Sequence, residues 1–179
     1  MLTSPLRSPN LSSLRALRLL VVEDSEADYE LLRIALRRSG YALEAHRVED
    51  EKEMRAALSE REWDAVISDH RLPTFSAHDA LATLQSYGLD VPFIILSGAI
   101  GEDAAVEAMR AGADDYILKD RLARLIPAIE RSMRAAAARA KQRAAEAALR
   151  ESETRLHAIA ANLPGMLFRM QTDSDGAYP

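Results

Sequence analysis

Residues 66–75 read Val66-Ile-Ser-Asp-His-Arg-Leu-Pro-Thr-Phe75, VISDHRLPTF, an apolar run that stops at a carboxylate, Asp69, and passes into a polar loop carrying Pro73. Together with Ala65 before it, the run has the length and composition of a buried strand rather than of a helix. Four further short runs share that character: Leu19 to Val22, the alternating Ala42 to Val48, Phe93 to Leu96, and Tyr116 to Leu118. Helical periods fall between them. Tyr29, Leu32, Ala35 and Leu36 make one apolar stripe, opened by Ser25 as a cap and closed by Gly40. Met54, Ala57 and Leu58 mark a second, followed by Trp63 as a core or edge anchor; Ser76 to Tyr87 before Gly88 makes a third, and Glu102 to Ala111 before Gly112 a fourth.

Strict alternation of strand and helix calls for a parallel sheet. Parallel strands need crossovers, and right-handed crossovers place helices on both faces, so the three runs richest in Val, Ile and Leu belong at its centre. The expected class is therefore α/β, a doubly wound five-stranded parallel sheet.

Composition agrees and removes alternatives. The chain has 179 residues, 48% hydrophobic and 28% charged, enough for one core plus an appendage. It has no cysteine, so disulfides and thiolate metal sites are out, and His46, His70, His78 and His157 lack metal-ligand spacing. The early run Leu19 to Val22 is too short for a signal-peptide core or a membrane span. We expect a soluble, cytoplasmic protein with no membrane association. The net charge of −5 is uneven: residues 19–120 hold 10 basic and 22 acidic groups, residues 121–157 hold 9 and 4. An acidic body is a poor footprint for nucleic acid, and no direct nucleic-acid binding is expected; the basic rod reads as a solvated helix or as a surface able to touch phosphates.

In an open parallel sheet, ligands sit at the carboxyl ends of the strands. Glu23 and Asp24 end the first run, Asp69 the third, Ser97 the fourth, and Lys119 the fifth. Three converging carboxylates repel one another, on the order of 4 kcal/mol for one pair at ~4 Å and an effective dielectric of ~20. A hard divalent cation with oxygen ligands relieves this, and a small site with room for phosphate oxygens suits Mg²⁺. Lys119 adds a positive charge that can pair with Asp69 or with a phosphoryl oxygen. These parts describe phosphoryl transfer, with Asp69 as nucleophile and Ser97 donating to the product.

Residues 17 to about 132 resemble the receiver domain of two-component response regulators. The likeness rests on Glu23 and Asp24, on Asp69 with Pro73 four residues later, on Ser97 after an apolar strand, and on Lys119 after Tyr116. It implies the flavodoxin-like strand order 2-1-3-4-5, and a phosphohistidine on a sensor histidine kinase or phosphotransfer protein as donor to Asp69. It also implies Mg²⁺ held by Glu23, Asp24, Asp69 and the backbone carbonyl of Arg71. Finally it implies a switch in which Ser97 swings toward the phosphoryl group and Tyr116 turns inward, reshaping the surface of the fourth helix, fifth strand and fifth helix. Two positions depart from the family pattern: Ala77 replaces a glycine eight residues after the acceptor, and Asp120 replaces the proline after Lys119. The Arg71 side chain either overhangs the acyl phosphate or is simply solvated.

Each residue also has a plainer reading. Asp24 could cap the first helix, Ser97 before Gly98 could be turn chemistry, Lys119 a surface charge and Tyr116 packing alone. Their joint placement favours the site. No glycine follows the first strand in VVEDSEADYE, which excludes a dinucleotide fingerprint, and no P-loop occurs. A dehalogenase-like phosphatase would want a second acid where Arg71 stands. The remaining alternative is a phosphorylation-independent receiver-fold module for interaction or dimerisation.

The expected organisation is a flexible arm over 1–16, a receiver domain over 17–132, a signalling helix over 133–162, and 163–179 as a truncated PAS-like start or a disordered tail. Pro127 suits a first helical turn, and residues 135–148 contain nine alanines, favouring helix but offering few knobs for a coiled coil. Ile126, Ile129 and Met133 begin a seam, and Leu149, Leu156, Ile159 and Leu163 resume one in another register. The helix is read either as a parallel dimeric signalling helix or as a single solvated one, with a homodimer through it or through the fourth-helix to fifth-helix surface. The last stretch resembles the entry to a PAS sensory domain at Asn162 to Gly165, with Asp175-Gly176 as a hairpin turn signal. That likeness implies an output domain outside this sequence. The site itself performs chemistry on its own side chain and is not expected to turn over a substrate.

Overall fold

The computed structural model describes residues 15–37, 40–99 and 101–162, with side chains described to residue 158. The elements run β1 (Ala16–Val22), α1 (Glu26–Arg37), β2 (Ala42–Val48), α2 (Glu51–Glu60), β3 (Ala65–Asp69), α3 (Ala77–Ser86), β4 (Phe93–Ser97), α4 (Glu102–Ala111) and β5 (Asp115–Leu118). A 3-10 segment, Lys119–Arg124, then leads into α5 (Leu125–Asn162). The five strands form one all-parallel sheet in the order β2-β1-β3-β4-β5. The expected flavodoxin-like, doubly wound architecture is the one observed.

Two-residue periodicity divides the core between the two faces of the sheet. Leu20, Val22, Val66, Phe93 and Ile95 point to the face covered by α2 and α3, where they meet Met54, Leu58, Trp63, Leu81 and Leu84. Leu19, Val21, Ile67, Ile94 and Ile117 point the other way, against Leu32 and Leu36 of α1 and Leu125 and Ile129 of α5. Every residue of β4 is buried, and β3 is buried up to Asp69, as central strands covered on both faces must be. The edge strands β2 and β5 are only partly buried.

β1 starts at Ala16, three residues before the apolar run, because its ladder with β2 runs from Ala16 opposite Ala42 to Val22 opposite Val48. Its one charged residue, Arg18, is held in place by Asp64 at the entrance to β3: the carboxylate accepts from the Arg18 backbone N–H at 2.8 Å and from its guanidinium at 3.0 and 3.2 Å. Helix ends follow local chemistry. Ser25 Oγ accepts from the Asp28 N–H, so Ser25 and not Asp24 caps α1. Ser76 and Asp79 form a reciprocal capping box at the start of α3. Gly112 ends α4 with φ 108°, and a Cβ there would meet the Gln85 side-chain nitrogen at 3.0 Å.

α5 is unbroken through residues 132 and 133. Residues up to Arg139 belong to one compact unit and Ala140 onward to a second. Ala128, Ile129, Ser132 and Ala136 are buried, and the Arg139 guanidinium reaches the Asp90 carboxylate at 2.7 and 3.1 Å. The side chains from 140 to 158 are exposed. Among the described residues no helix is long and apolar enough to cross a membrane. The PAS-like stretch and residues 1–14 of the proposed arm lie outside the described residues.

Candidate functional site

Strand order decides which side chains meet. β1 and β3 are neighbours, as are β3 and β4, and β4 and β5, so the residues leaving their carboxyl ends share one edge. Backbone bonding carries the ladders past the last strand residues: the Glu23 N–H donates to Val48 O at 3.0 Å, and the His70 N–H to Leu96 O at 2.7 Å. Glu23 and Asp69 are thereby fixed in direction by the sheet itself.

Glu23, Asp24 and Asp69 offer carboxylate oxygens that all lie within 4.8 Å of one another. Glu23 is buried at 5% exposure, Asp69 is partly buried and Asp24 is exposed. Lys119, opening the 3-10 segment, supplies the countercharge. Its Nζ lies 3.0 Å from Glu23 Oε2 and 3.1 Å from Asp69 Oδ1, and it makes a third, short contact with Asp28 Oδ2. The other Glu23 oxygen accepts from the Ser25 N–H at 3.1 Å. Beneath this cluster a cavity of about 130 Å³ has an apolar floor that includes Val21, Leu32, Ile67 and Leu96. That floor lowers the local dielectric and strengthens each charge interaction above it.

The electrostatics follow from burial and charge count. Burial pushes the Glu23 carboxyl up from its usual range, against the opposing pull of Lys119 and the Ser25 N–H. Burial would depress Lys119, but its contacts with the accepting carboxylates of Asp28, Glu23 and Asp69 outweigh it and hold the ammonium well above its ordinary value. Lys119 is therefore a permanent cation facing three carboxylates. The trio of oxygens at Glu23, Asp24 and Asp69 is the donor set a hard divalent cation takes.

The remaining residues singled out in the sequence stand nearby in other engagements. Ser97 is buried at 2% exposure, and its hydroxyl donates to Ala99 O at 3.0 Å while accepting from the Ala99 N–H at 3.3 Å. Tyr116 is partly buried and meets the His70 ring edge to face, with centroids 5.8 Å apart. Arg71 is exposed in the loop after β3.

Asp28 was not singled out by the sequence reading. An acid in the first turn of a helix is expected on dipole grounds alone, which hid it. The usable signal was its place one turn before buried Leu32, on the side of α1 that faces the sheet. His70, the ring partner of Tyr116, carried no signal beyond its place next to Asp69.

A family model of the response regulator receiver domain matches residues 19–130. The chain belongs to this family. Among curated relatives of this receiver domain, the transcriptional regulatory protein QseB of Haemophilus influenzae is 34% identical over 103 residues, spanning 58% of this chain and 46% of QseB. The two-component response regulator PhoP of Pseudomonas aeruginosa is 35% identical over 103 residues, 58% of this chain and 45% of PhoP. The chain thus matches less than half the length of either. Among solved structures, FixJ-N superposes with a TM-score of 0.58 at 30% identity, covering 66% of this chain and 94% of that one. Receiver domains are signalling switches of two-component systems, and here the receiver fold carries the acidic cluster described above.

Proposed function

We propose that this chain is a phosphoacceptor switch in which Asp69 takes a phosphoryl group from the phosphohistidine of a sensor histidine kinase or phosphotransfer protein. The observation that carries this reading is the single ammonium of Lys119 placed 3.1 Å from Asp69 and 3.0 Å from Glu23, beside a carboxylate trio. In the transfer, an Asp69 oxygen forms a bond to phosphorus as the phosphorus–nitrogen bond of the donor breaks, and the imidazole leaves. Lys119 then exchanges its contact with the Asp69 carboxylate for one with a phosphoryl oxygen, neutralising charge on the transferring group.

Glu23, Asp24, Asp69 and the backbone carbonyl of Arg71 would hold Mg²⁺. Bound there, Mg²⁺ supplies positive charge that offsets the carboxylates and polarises phosphoryl oxygens.

The Ser97 hydroxyl is the internal sensor in this reading. It is satisfied by Ala99 in the resting state and would trade that contact for the stronger acceptor of a phosphoryl oxygen. Tyr116 then leaves His70 and turns inward. The element best suited to respond is α4: it buries no residue fully, starts at Gly101 without a side-chain cap, and exposes Val106 and Met109. A homodimer through α4, β5 and α5 would cover those two side chains.

Beyond the receiver, residues 133–162 are proposed as a signalling helix that pairs in parallel with a second copy. Leu149 and Leu156, seven residues apart, are 60% and 63% exposed and would form its seam. Residues 163–179 are proposed as the opening of a PAS-like domain, with a cytoplasmic setting for the whole.

The test is intact mass after incubation with acetyl phosphate and Mg²⁺, comparing wild type with Asp69→Asn and repeating in excess EDTA. A gain of one phosphoryl mass that needs both Asp69 and the metal is expected. No gain in folded protein, with a phosphohistidine donor equally ineffective, would leave the phosphorylation-independent module as the better description.

A further inference from the structure

The Lys119 ammonium faces three carboxylates, donating hydrogen bonds to Glu23 and Asp28 and forming an ion pair with Asp69 at 3.1 Å. Two of those carboxylates, Glu23 and Asp69, belong to the cluster that gathers oxygens within 4.8 Å; the third, Asp28, does not. Asp28 comes from a different element, the first turn of α1, where Ser25 accepts from its backbone N–H and fixes the turn. Its side chain is 40% exposed, against 6% for the Glu23 side chain and 11% for Asp69. The ammonium is thus suspended between two inner carboxylates with other work to do and one outer carboxylate with none.

We propose that Asp28 is a positioning residue for the acceptor site, anchoring the Lys119 ammonium so that Glu23 and Asp69 can release it without losing its place over the acceptor. The proposal rests on the phosphoacceptor reading and deepens it. When Glu23 and Asp69 are engaged by a cation and a phosphoryl group, two of the three contacts of Lys119 weaken together. Without Asp28 the flexible four-carbon stem would have no remaining fixed partner, and the ammonium would spread over several positions. With it, the ammonium keeps one carboxylate and swings its free donors toward the incoming phosphoryl oxygens. Such pre-set geometry is where a distant contact acts on rate.

The same contact sets what happens in the resting site. Removing the Asp28 charge leaves Lys119 to Glu23 and Asp69 alone, so it sits more tightly across the two groups that must open. Asp28→Asn should therefore lower the maximal rate of labelling while leaving the fold intact.

The experiment uses the full chain in four forms: wild type, Asp28→Asn, Asp28→Glu, and Glu26→Gln, which removes one charge from the same first turn at an exposed position. Labelling by acetyl phosphate is followed by intact mass at saturating acetyl phosphate and Mg²⁺, and circular dichroism melts check the fold. The Lys119 Nζ resonance is read by ¹⁵N NMR without phosphoryl donor, with and without Mg²⁺. Asp28→Asn should label about ten- to a hundredfold more slowly, Glu26→Gln within about twofold of wild type, and Asp28→Glu should recover part of the loss. In wild type the Nζ signal should persist on addition of Mg²⁺, and in Asp28→Asn it should broaden or vanish. Equal rates in Asp28→Asn and Glu26→Gln, or an Nζ signal indifferent to the substitution, would overturn the proposal while leaving Asp69 as acceptor. Failure of wild type itself to label would overturn the acceptor reading and this proposal with it.

Discussion

Lys119 Nζ lies 3.1 Å from Asp69 Oδ1, a contact that joins residues 50 positions apart and closes the ends of β5 and β3 over one carboxylate. Lys119→Ala removes the one cation that, among the described residues, pairs with the Glu23 carboxylate, and leaves three carboxylates facing one another. The folded protein should lose about 1–3 kcal/mol in urea unfolding at neutral pH, the range for a buried charge left unpaired but partly wetted. Labelling of Asp69 should slow by about a hundredfold or more, the scale for losing one positioned electrostatic stabiliser. Lys119→Arg should restore more stability than rate, because the planar guanidinium cannot reproduce the three-way contact.

The Ser97 hydroxyl tests the switch. Ser97→Ala frees the Ala99 N–H and carbonyl of one partner each, at about 0.5–1.5 kcal/mol of stability. Asp69 should still take a phosphoryl group. Backbone amide shifts in α4 and β5, which should move on labelling in wild type, should move far less in the variant. Full-sized shifts in labelled Ser97→Ala would remove Ser97 from the mechanism.

The central sheet was legible because β3 and β4 are covered on both faces and so carry uninterrupted apolar runs, while Gly88 and Gly112 mark helix ends. The strand-end residues became legible once the sheet was parallel, since that topology alone sends Glu23, Asp69, Ser97 and Lys119 to one edge. What escaped depended on contacts distant in sequence. Arg18 broke the apolar run of β1 and hid its true start, because its charge is answered 46 residues later by Asp64. A uniform alanine-rich helix likewise gives no local sign that Ala136 is buried or that Arg139 reaches Asp90. Asp28 looked like any first-turn acid until the 3-10 segment after β5 brought Lys119 against α1.

Trp63 anchors the end of α2 from the loop before β3. Its Nε1–H donates to Ala57 O at 2.9 Å, the Arg61 guanidinium lies 4.1 Å from its ring centroid, and His46 stacks at 6.0 Å. Trp63→Phe loses the hydrogen bond and part of the cation–π contact, and should cost about 1–2 kcal/mol. The measurement is urea unfolding by circular dichroism, because the variant has no tryptophan left. Asp69 labelling should be unchanged, since Trp63 lies at the opposite end of the strands.

The Arg18–Asp64 pair gives the fold a pH dependence separate from the site. Burial would raise the Asp64 carboxyl, but the hydrogen bonds from the Arg18 side chain and backbone prevail and hold it below its ordinary range. A depressed folded value means that the unfolded chain binds the extra proton first. The pair therefore stabilises fully above the unfolded carboxyl value of about 3.9, and that contribution disappears as pH falls through the lower folded value. Asp64→Asn should cost about 1–2 kcal/mol at pH 7, near the low end for a charge-assisted pair because Arg18 is one-third exposed. The gap between wild type and Asp64→Asn, measured by urea unfolding from pH 7 to pH 2.5, should stay level down to about pH 4 and narrow below it. A gap that remains constant to the lowest pH would mean that Asp64 acts through its shape and backbone bond to Arg18, and not through its charge.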